Sequence, residues 1–162
     1  MRHLNEYLIV DGYNIINSWP ELVELKSKSF EHAREKLVDI LADFQGIAGM
    51  KIIVVFDAGN VKGGLENREV VNGVTIIFTQ YGETADAVIE RLVGTLPAGC
   101  SIFVATSDWA EQRIVFGKGA YRLSSRDLYE RVKRAKLYRQ KYASSGSKEP
   151  TGLFSDLSEE IK

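Results

Sequence analysis

Residues 7–11 read YLIVD: four consecutive side chains suited to a buried strand, followed by an aspartate. Similar runs at 52–56, 74–78 and 101–106 also lead into acidic residues, so that four aspartates stand near the ends of four expected strands: Asp11, Asp57, Asp86 and Asp108. The segments between these runs carry apolar residues at the spacing of a helix that packs on one side. Alternating strands and helices predict an α/β domain with a mostly parallel sheet.

The predicted elements form about five strands and the helices that connect them. We expect strands at about 7–11, 51–57, 74–79, 101–106 and 120–123. We expect helices at about 20–26 and 30–44, and further helices that begin near Thr84, Asp108 and Ser124 or Ser125. These elements fill residues 1–142, the predicted domain, and residues 143–162 are interpreted as a linker-like or loosely packed tail.

Glycines mark two of the predicted element ends. Gly46 and Gly49 are expected to end the helix that starts at about residue 30. Asn72-Gly73 is a strong signal for a two-residue hairpin turn, which would pair residues 69–71 with 74–76.

The bulk composition is that of an ordinary globular domain. The chain has 162 residues, of which 44% are hydrophobic and 27% charged. No apolar run reaches the roughly 18 residues that a membrane span needs, and the first residues do not have the pattern of a signal peptide. The single cysteine, Cys100, cannot form an internal disulfide. We therefore expect a cytoplasmic location.

The placement of the acidic residues points to metal chemistry. In an open parallel sheet the strand ends lie along one edge, where such folds bind ligands. Carboxylates gathered there repel one another, which is costly unless cations hold them together. Oxygen ligands beside a substrate phosphate suit Mg²⁺ or Mn²⁺. Taken singly, each aspartate has a structural alternative, either in a turn or at a helix N-terminus.

The residues after the first strand suit such a site. Gly12 permits an abrupt turn and a close approach of a ligand. Asn14 can return its amide to the same edge as Asp11, where it would orient a phosphate or a water molecule.

The net charge of −1 conceals an uneven distribution. Residues 126–141 contain seven Lys or Arg against two acids and carry +5, so the remainder of the chain carries −6. An acidic centre beside a basic helix fits a metalloenzyme that binds a polyanion. A solvated helix face is the structural alternative.

Four short motifs, in this order and spacing, resemble those of the NYN-domain nucleases of the YacP family, which belong to the PIN-like superfamily. They are DGYN at 11–14, VFDA at 55–58, GETAD at 82–86 and TSD at 106–108, and the resemblance covers roughly residues 5–142. It implies a three-layer α/β/α fold, a divalent-metal site for Mg²⁺ or Mn²⁺, and RNA cleavage. Bacterial members include an endoribonuclease that cuts messenger RNA on the translating ribosome, so RNA and the ribosome are the implied partners.

The family pattern also implies the residues of the site. Those carried over as catalytic are Asp11, Asn14, Asp86 and Asp108. The three aspartates among them are the implied metal ligands, and Asp57 is a less secure further ligand. Thr84, Thr106 and Ser107 are supporting residues on the same rim. The implied reaction is hydrolysis, in which divalent cations make a water molecule more acidic and offset charge on the leaving oxygen.

RNA needs a positively charged path to an acidic centre. The candidate RNA-binding residues are Lys62, Arg68, Arg113, Lys118 and Arg126. Trp19, Tyr81 and Trp109 lie beside motif residues and are candidates for base stacking, but packing is the favoured role of each. The glycine-rich segment 58–73 is expected to reach outward and serve the encounter with RNA.

Two other functions are compatible with parts of the sequence. Asp57 and Thr106 suit a phosphoacceptor receiver-like domain, but that class also needs a second acid beside Asp11 and a lysine where Arg122 stands. A non-catalytic RNA- or ribosome-binding module on the same fold is the second alternative. The intact set of carboxylates argues against it, because a protein that only binds polyanions has no use for clustered acids.

Overall fold

A computed structural model describes residues 5–107 and 120–142 of the chain. Within these residues the elements are six strands and five helices: β1 (Glu6–Asp11), α1 (Gly12–Ile16), α2 (Pro20–Lys26), α3 (Phe30–Ala48), β2 (Lys51–Phe56), β3 (Asn67–Val71), β4 (Val74–Phe78), α4 (Ala85–Thr95), β5 (Ser101–Ala105), β6 (Tyr121–Leu123) and α5 (Ser125–Tyr142). No helix among the described residues is long and apolar enough to cross a membrane.

The strands form one mixed sheet in the order β3-β4-β2-β1-β5-β6. All neighbouring pairs are parallel except the β3–β4 hairpin, which is antiparallel. The predicted α/β class with a mostly parallel sheet is therefore confirmed. The sheet has six strands where about five were expected, because residues 67–71 pair along the whole of β4 on either side of the predicted turn at 72–73.

Two hydrophobic cores lie on opposite faces of the sheet and make the three layers. Leu8 and Val10 of β1 face the core that contains α1, α2, α3 and α5, whereas Ile9 faces the core that contains α4. All three side chains are fully buried. A central parallel strand that is covered on both faces must be apolar throughout, which explains the unbroken run at its end.

The structure corrects two predictions of where helices begin and end. Helix α3 passes through Gly46 and ends at Ala48, with Gly49 in the left-handed conformation as its C-cap. Burial of Ile47 and Ala48 in the core outweighs the cost of a mid-helix glycine, which is about 1 kcal/mol. In the second case, residues 12–16 form a helix where the sequence predicted only a turn, because Asp11 caps its N-terminus.

The buried face of the basic helix α5 agrees only in part with its predicted apolar stripe. Helical spacing predicts a buried stripe made by Leu128, Val132, Ala135, Tyr138 and Tyr142. Leu128 and Ala135 are buried, together with Ser125 and Arg131, whereas Val132 and Tyr138 are half-buried and Tyr142 is exposed. Arg131 is 3% exposed, and its Nε donates to Asp127 Oδ1 at 2.9 Å, one helical turn away. This arginine is therefore part of the packing of α5 and is not a surface charge available to RNA.

Replacing Arg131 by alanine should destabilise the protein without a specific effect on RNA binding. The change removes buried packing and a charged hydrogen bond, so we expect a loss of about 1–3 kcal/mol in the free energy of unfolding. Arg134→Ala, on the exposed side of the same helix, is the matched control and should shift it by less than about 0.5 kcal/mol. Urea denaturation measures both, and equal stability of the two variants would contradict the structural role.

Candidate active site at the carboxyl edge of the sheet

The site predicted from the sequence lies beside β1, where the direction in which successive strands are added to the sheet reverses. From β1 the chain builds outward through β2 to β4, and it then returns to place β5 on the other side of β1. Ligands of open α/β sheets bind at such a reversal, outside the carboxyl ends of the strands. Val10 pairs with Ala105 in the register of β1 and β5, so the next residues, Asp11 and Thr106, leave the sheet side by side.

The Asp11 carboxylate is held from both strands. Its Oδ1 accepts the backbone N–H of Asn14 at 3.4 Å, the contact that caps α1. Its Oδ2 accepts the hydroxyl of Thr106 at 3.3 Å, and Thr106 is fully buried. Two donors from different elements thus orient one partly exposed carboxylate at the edge.

Asn14 is tied to the segment that follows β5. Its Oδ1 accepts the backbone N–H of Ser107 at 2.8 Å. Because only the amide oxygen can accept from a backbone N–H, this bond also fixes which way the amide points. The Asn14 NH₂ is then the group that can donate to a substrate oxygen.

Ser107 continues this connection to the start of α5. The hydroxyls of Ser107 and Ser125 lie 3.0 Å apart, and the buried indole of Trp19 donates to the carbonyl of Ser125 at 2.9 Å. At 2% exposure, Trp19 packs in the core, which is the role that the sequence favoured over base stacking. Asp108, which directly follows this anchored segment, lies outside the described residues, as do Trp109, Arg113 and Lys118.

Gly12 allows α1 to begin directly over the sheet. A Cβ added at this position would lie 2.3 Å from Cε1 of Phe56. Phe56 in turn packs against Tyr13 and Phe78, with ring centroids 5.2 and 5.4 Å away. A side chain at position 12 would therefore displace the buried ring of Phe56.

Asp57 and Asp86 occupy the loops that follow β2 and β4. Asp57 is exposed, and its Oδ1 accepts the N–H of Gly59 at 2.8 Å. This contact stabilises a turn, which is the structural role that the sequence also allowed for Asp57. Asp86 lies half-buried in the first turn of α4, whose N-cap Thr84 accepts the N–H of Ala87 at 3.2 Å. The Thr84 hydroxyl thus has a structural use.

In residues 5–107 and 120–142 no three His, Cys, Asp or Glu side chains group closely enough to hold a metal ion. Of the proposed ligands, the described part contains Asp11, Asp86 and the less secure Asp57, which do not form such a group by themselves, whereas Asp108 lies outside it. Their carboxylate oxygens are of the chemical type that Mg²⁺ and Mn²⁺ prefer.

The candidate RNA-binding residues differ in what they contact. Lys62 and Arg126 are exposed at the carboxyl edge, in the loop after β2 and at the start of α5. Arg68 instead donates to Glu66 at 2.8 Å, a hydrogen bond that lowers the pKa of Glu66. Because Arg68 has this partner, it is a weaker candidate for phosphate contact than the sequence suggested.

Glu83 belongs to the GETAD motif but was not among the predicted site residues. The structure shows its Oε2 bonded to Arg91 at 2.5 Å, an interaction that raises the pKa of Arg91. The other oxygen, Oε1, is buried and has no hydrogen-bond partner. Arg91 also reaches Glu66 at 2.7 Å, so this pairing connects α4 to the loop before β3. The position of Glu83 within the GETAD motif was the only sequence signal that this residue connects α4 to the loop before β3.

A separate cleft of about 410 Å³ lies between α3 and the β3–β4 hairpin. Its floor includes Phe56 and Phe78, but four carboxylates line it: Glu31, Glu35, Asp39 and Glu69. Arg34 is the single basic residue there, and it donates to the Tyr13 hydroxyl at 3.1 Å. Because like charges repel, this cleft is unsuited to the phosphates of RNA.

Comparisons with known proteins agree with this architecture. Residues 8–162 match the family model described as the YacP-like NYN domain. The chain is 43% identical to the Bacillus subtilis protein YacP, described as uncharacterized, over 96% of this chain and 92% of that one. The crystal structure of Rae1 (YacP) from Bacillus subtilis superposes with a TM-score of 0.74 at 42% identity, over 96% of this chain and 89% of the other. Its W164L mutant gives 0.72 at 38% identity, over 93% and 89%.

Gly12→Ala should destabilise the protein, since the new methyl group must displace Phe56. Overpacking of this kind costs about 1–3 kcal/mol. Gly94→Ala is the matched control, because a Cβ there meets nothing within 4 Å in the helix α4. That control should stabilise the protein by about 0.5–1 kcal/mol, since alanine suits a helix better than glycine does. Thermal and urea denaturation measure both, and a neutral Gly12→Ala would refute the close contact.

Proposed function

The chain belongs to the YacP-like NYN-domain family, whose fold is that of PIN-like nucleases, and we propose that it is a divalent-metal-dependent endoribonuclease. One observation supports this proposal most directly. Asp11 and Asn14 are hydrogen-bonded to Thr106 and Ser107 across the reversal point between β1 and β5. The arrangement holds a carboxylate and an amide in fixed orientation where α/β folds bind their ligands.

In this proposal Asp11, Asp86 and Asp108 hold one or two Mg²⁺ or Mn²⁺ ions, with Asp57 as a further ligand. Nuclease domains of this class generally use divalent metals, which when bound make water a better nucleophile and offset charge on the phosphate oxygens. The Asn14 NH₂ donates to a phosphate oxygen of the substrate. Thr106 and the N–H of Asn14 orient Asp11, and Ser107 holds Asn14 in place.

The proposed substrate is RNA, and in particular messenger RNA on the translating ribosome in the cytoplasm. Lys62 and Arg126, exposed at the carboxyl edge, supply phosphate contacts on two sides of the site. Arg113, Lys118 and, more weakly, Arg68 extend this path. The alternative of a non-catalytic RNA- or ribosome-binding module makes the opposite prediction for the aspartates, because a binder needs no metal ligands.

Asp11→Asn and Asp86→Asn should each reduce RNA cleavage by more than about 100-fold while the fold survives. Asparagine keeps the size of the side chain but removes the charge that binds a cation. Asp39→Asn is the matched control, since Asp39 is an exposed carboxylate on α3. Cleavage is measured on messenger RNA with and without ribosomes, in Mg²⁺ or Mn²⁺, with mapping of the cut ends and a thermal melt of each variant.

Wild-type rates in Asp11→Asn would exclude the assigned catalytic site. A wild-type protein that binds RNA or ribosomes but cuts neither RNA substrate would instead favour the binding module.

Divalent metal should raise the melting temperature of the wild-type protein, because it binds only the assembled carboxylates. At a metal concentration of 100 times Kd, the expected stabilisation is about 2.7 kcal/mol. An Asp11→Asn/Asp86→Asn double variant should lose this response, and Asp39→Asn should keep it. The measurement is a thermal melt in Mn²⁺ against EDTA. A shift of equal size in the double variant would mean that the metal binds elsewhere.

A further inference from the structure

Two loops share the carboxyl edge beside the candidate active site. Residues 57–66 connect the end of β2 to the start of β3, and residues 79–84 connect the end of β4 to α4. Because β3 is antiparallel to β4, with Asn67 opposite Phe78, the first loop both leaves and re-enters the sheet at this edge. Strand β4 lies two strands away from β1 in the sheet, a distance of about 10 Å. Both loops are therefore near Asp11, which stands at the end of β1.

The two loops are bonded to each other and form a single ledge. Gly82 donates to the carbonyl of Gly59 at 2.8 Å, and Tyr81 donates to that of Gly64 at 2.8 Å. The N–H of Ala58 donates to the hydroxyl of the buried Thr79 at 2.8 Å. The loops are so close that a Cβ on Gly59 would lie 2.4 Å from the carbonyl oxygen of Glu83.

Paired charges reinforce the same ledge from the side. Glu66, near the end of the first loop, pairs with Arg68 and Arg91, and Arg91 pairs with Glu83 of the second loop. The sequence predicted an outward-reaching glycine-rich segment. The structure instead shows that its first part, residues 57–66, is held against a neighbouring loop and against α4.

The ledge carries apolar side chains that are unusually exposed. Tyr81 is 52% exposed, Val61 55% and Leu65 83%. Backbone hydrogen bonds of Gly64 bring these residues together. Its carbonyl accepts the N–H of Tyr81, its N–H donates to the carbonyl of Val61 at 3.0 Å, and Leu65 is the next residue in the chain. Lys62, also exposed, lies in the same loop, and no ion pair engages it within the described part of the chain. An aromatic ring, two aliphatic side chains and one cation are thus presented together on a rigid support.

We propose that this ledge is a subsite for single-stranded RNA, in which a nucleobase stacks on Tyr81 and Lys62 contacts a backbone phosphate. This proposal rests on the proposed nuclease function and adds a contact that holds the substrate beside the reacting phosphate. Stacking tolerates any base and is strongest on a surface that is already ordered, as the bonded loops are. Val61 and Leu65 form the apolar border of the stacked base.

The chemistry of the ledge favours a nucleotide over a second copy of this chain. Three apolar side chains cover far less than the roughly 800 Å² that each partner buries in a stable protein interface. The same edge carries the carboxylates that the proposed function assigns to phosphate chemistry, so a base on the ledge belongs to a strand that continues across the site.

The test uses the full-length protein in EDTA, where binding is measured without cleavage. The probe is a short single-stranded RNA with a fluorescent label, and a second version carries 2-aminopurine, whose fluorescence falls when it stacks. Tyr81→Ala should weaken binding by about tenfold, within the range of one stacked base, and should abolish the 2-aminopurine quenching. Tyr81→Phe should retain both, because the ring is kept.

Tyr142→Ala is the matched control for loss of an exposed tyrosine. Helix α5 starts at the carboxyl edge and runs for 18 residues, about 27 Å, so that Tyr142 lies at its far end. This control should bind RNA as the wild type does. Lys62→Ala should weaken binding modestly and reduce its salt dependence by about one phosphate contact.

Unchanged affinity and quenching in Tyr81→Ala, in a protein that still cleaves RNA, would overturn the ledge alone and leave the proposed function standing. Absence of RNA binding and cleavage by the wild type would overturn both. Self-association of the wild type that is lost in Tyr81→Ala, with equal RNA affinity of the two proteins, would identify the ledge as a contact between copies and would also overturn the inference.

Discussion

The burial of β1 on both faces is the constraint on which the rest of this structure depends. Leu8, Ile9 and Val10 are fully buried, two against the larger helical core and one against α4. Buried backbone groups must find partners, and both neighbours of β1 are parallel strands. The strand can therefore present a polar side chain only where the sheet stops, and Asp11 is the residue at that point.

The hydrogen bonds around Asp11 join short segments that lie far apart in the sequence. Asp11 and Asn14 come from one turn, Thr106 and Ser107 from the end of β5, and Ser125 from the start of α5. Each hydrogen bond contributes modestly to stability. Together they reduce the freedom of a carboxylate and an amide before any ligand arrives, and such preorganisation is the main protein contribution to electrostatic catalysis.

Fewer basic side chains are available to a ligand than the number of Lys and Arg residues suggests. Arg68, Arg91, Arg131 and Arg139 all form ion pairs with carboxylates of the same chain. The Arg68 and Arg131 pairs are local, whereas Arg91 joins α4 to the loops that contain Glu66 and Glu83, and Arg139 joins α5 to α3 through Asp43. Exposed pairs add little stability singly. Lys62 and Arg126 remain exposed at the carboxyl edge. Part of the basic charge of the chain is therefore engaged in contacts within the fold.

The sequence by itself determined the α/β class with a mostly parallel sheet, most of the strands and helices in chain order, the hairpin turn at residues 72–73 and the position of Asp11 at the carboxyl edge. These features depend on local signals: an apolar run, a helical spacing, a turn dipeptide and the rule that parallel strands end on the same side. Only the tertiary structure decided that Arg131 is buried, that Trp19 belongs to the core, that α3 continues past Gly46 and that the loop after β2 is bonded to the loop after β4. Each of these depends on a partner distant along the chain, or on burial that only the assembled core supplies, and no periodicity within a single segment encodes that partner.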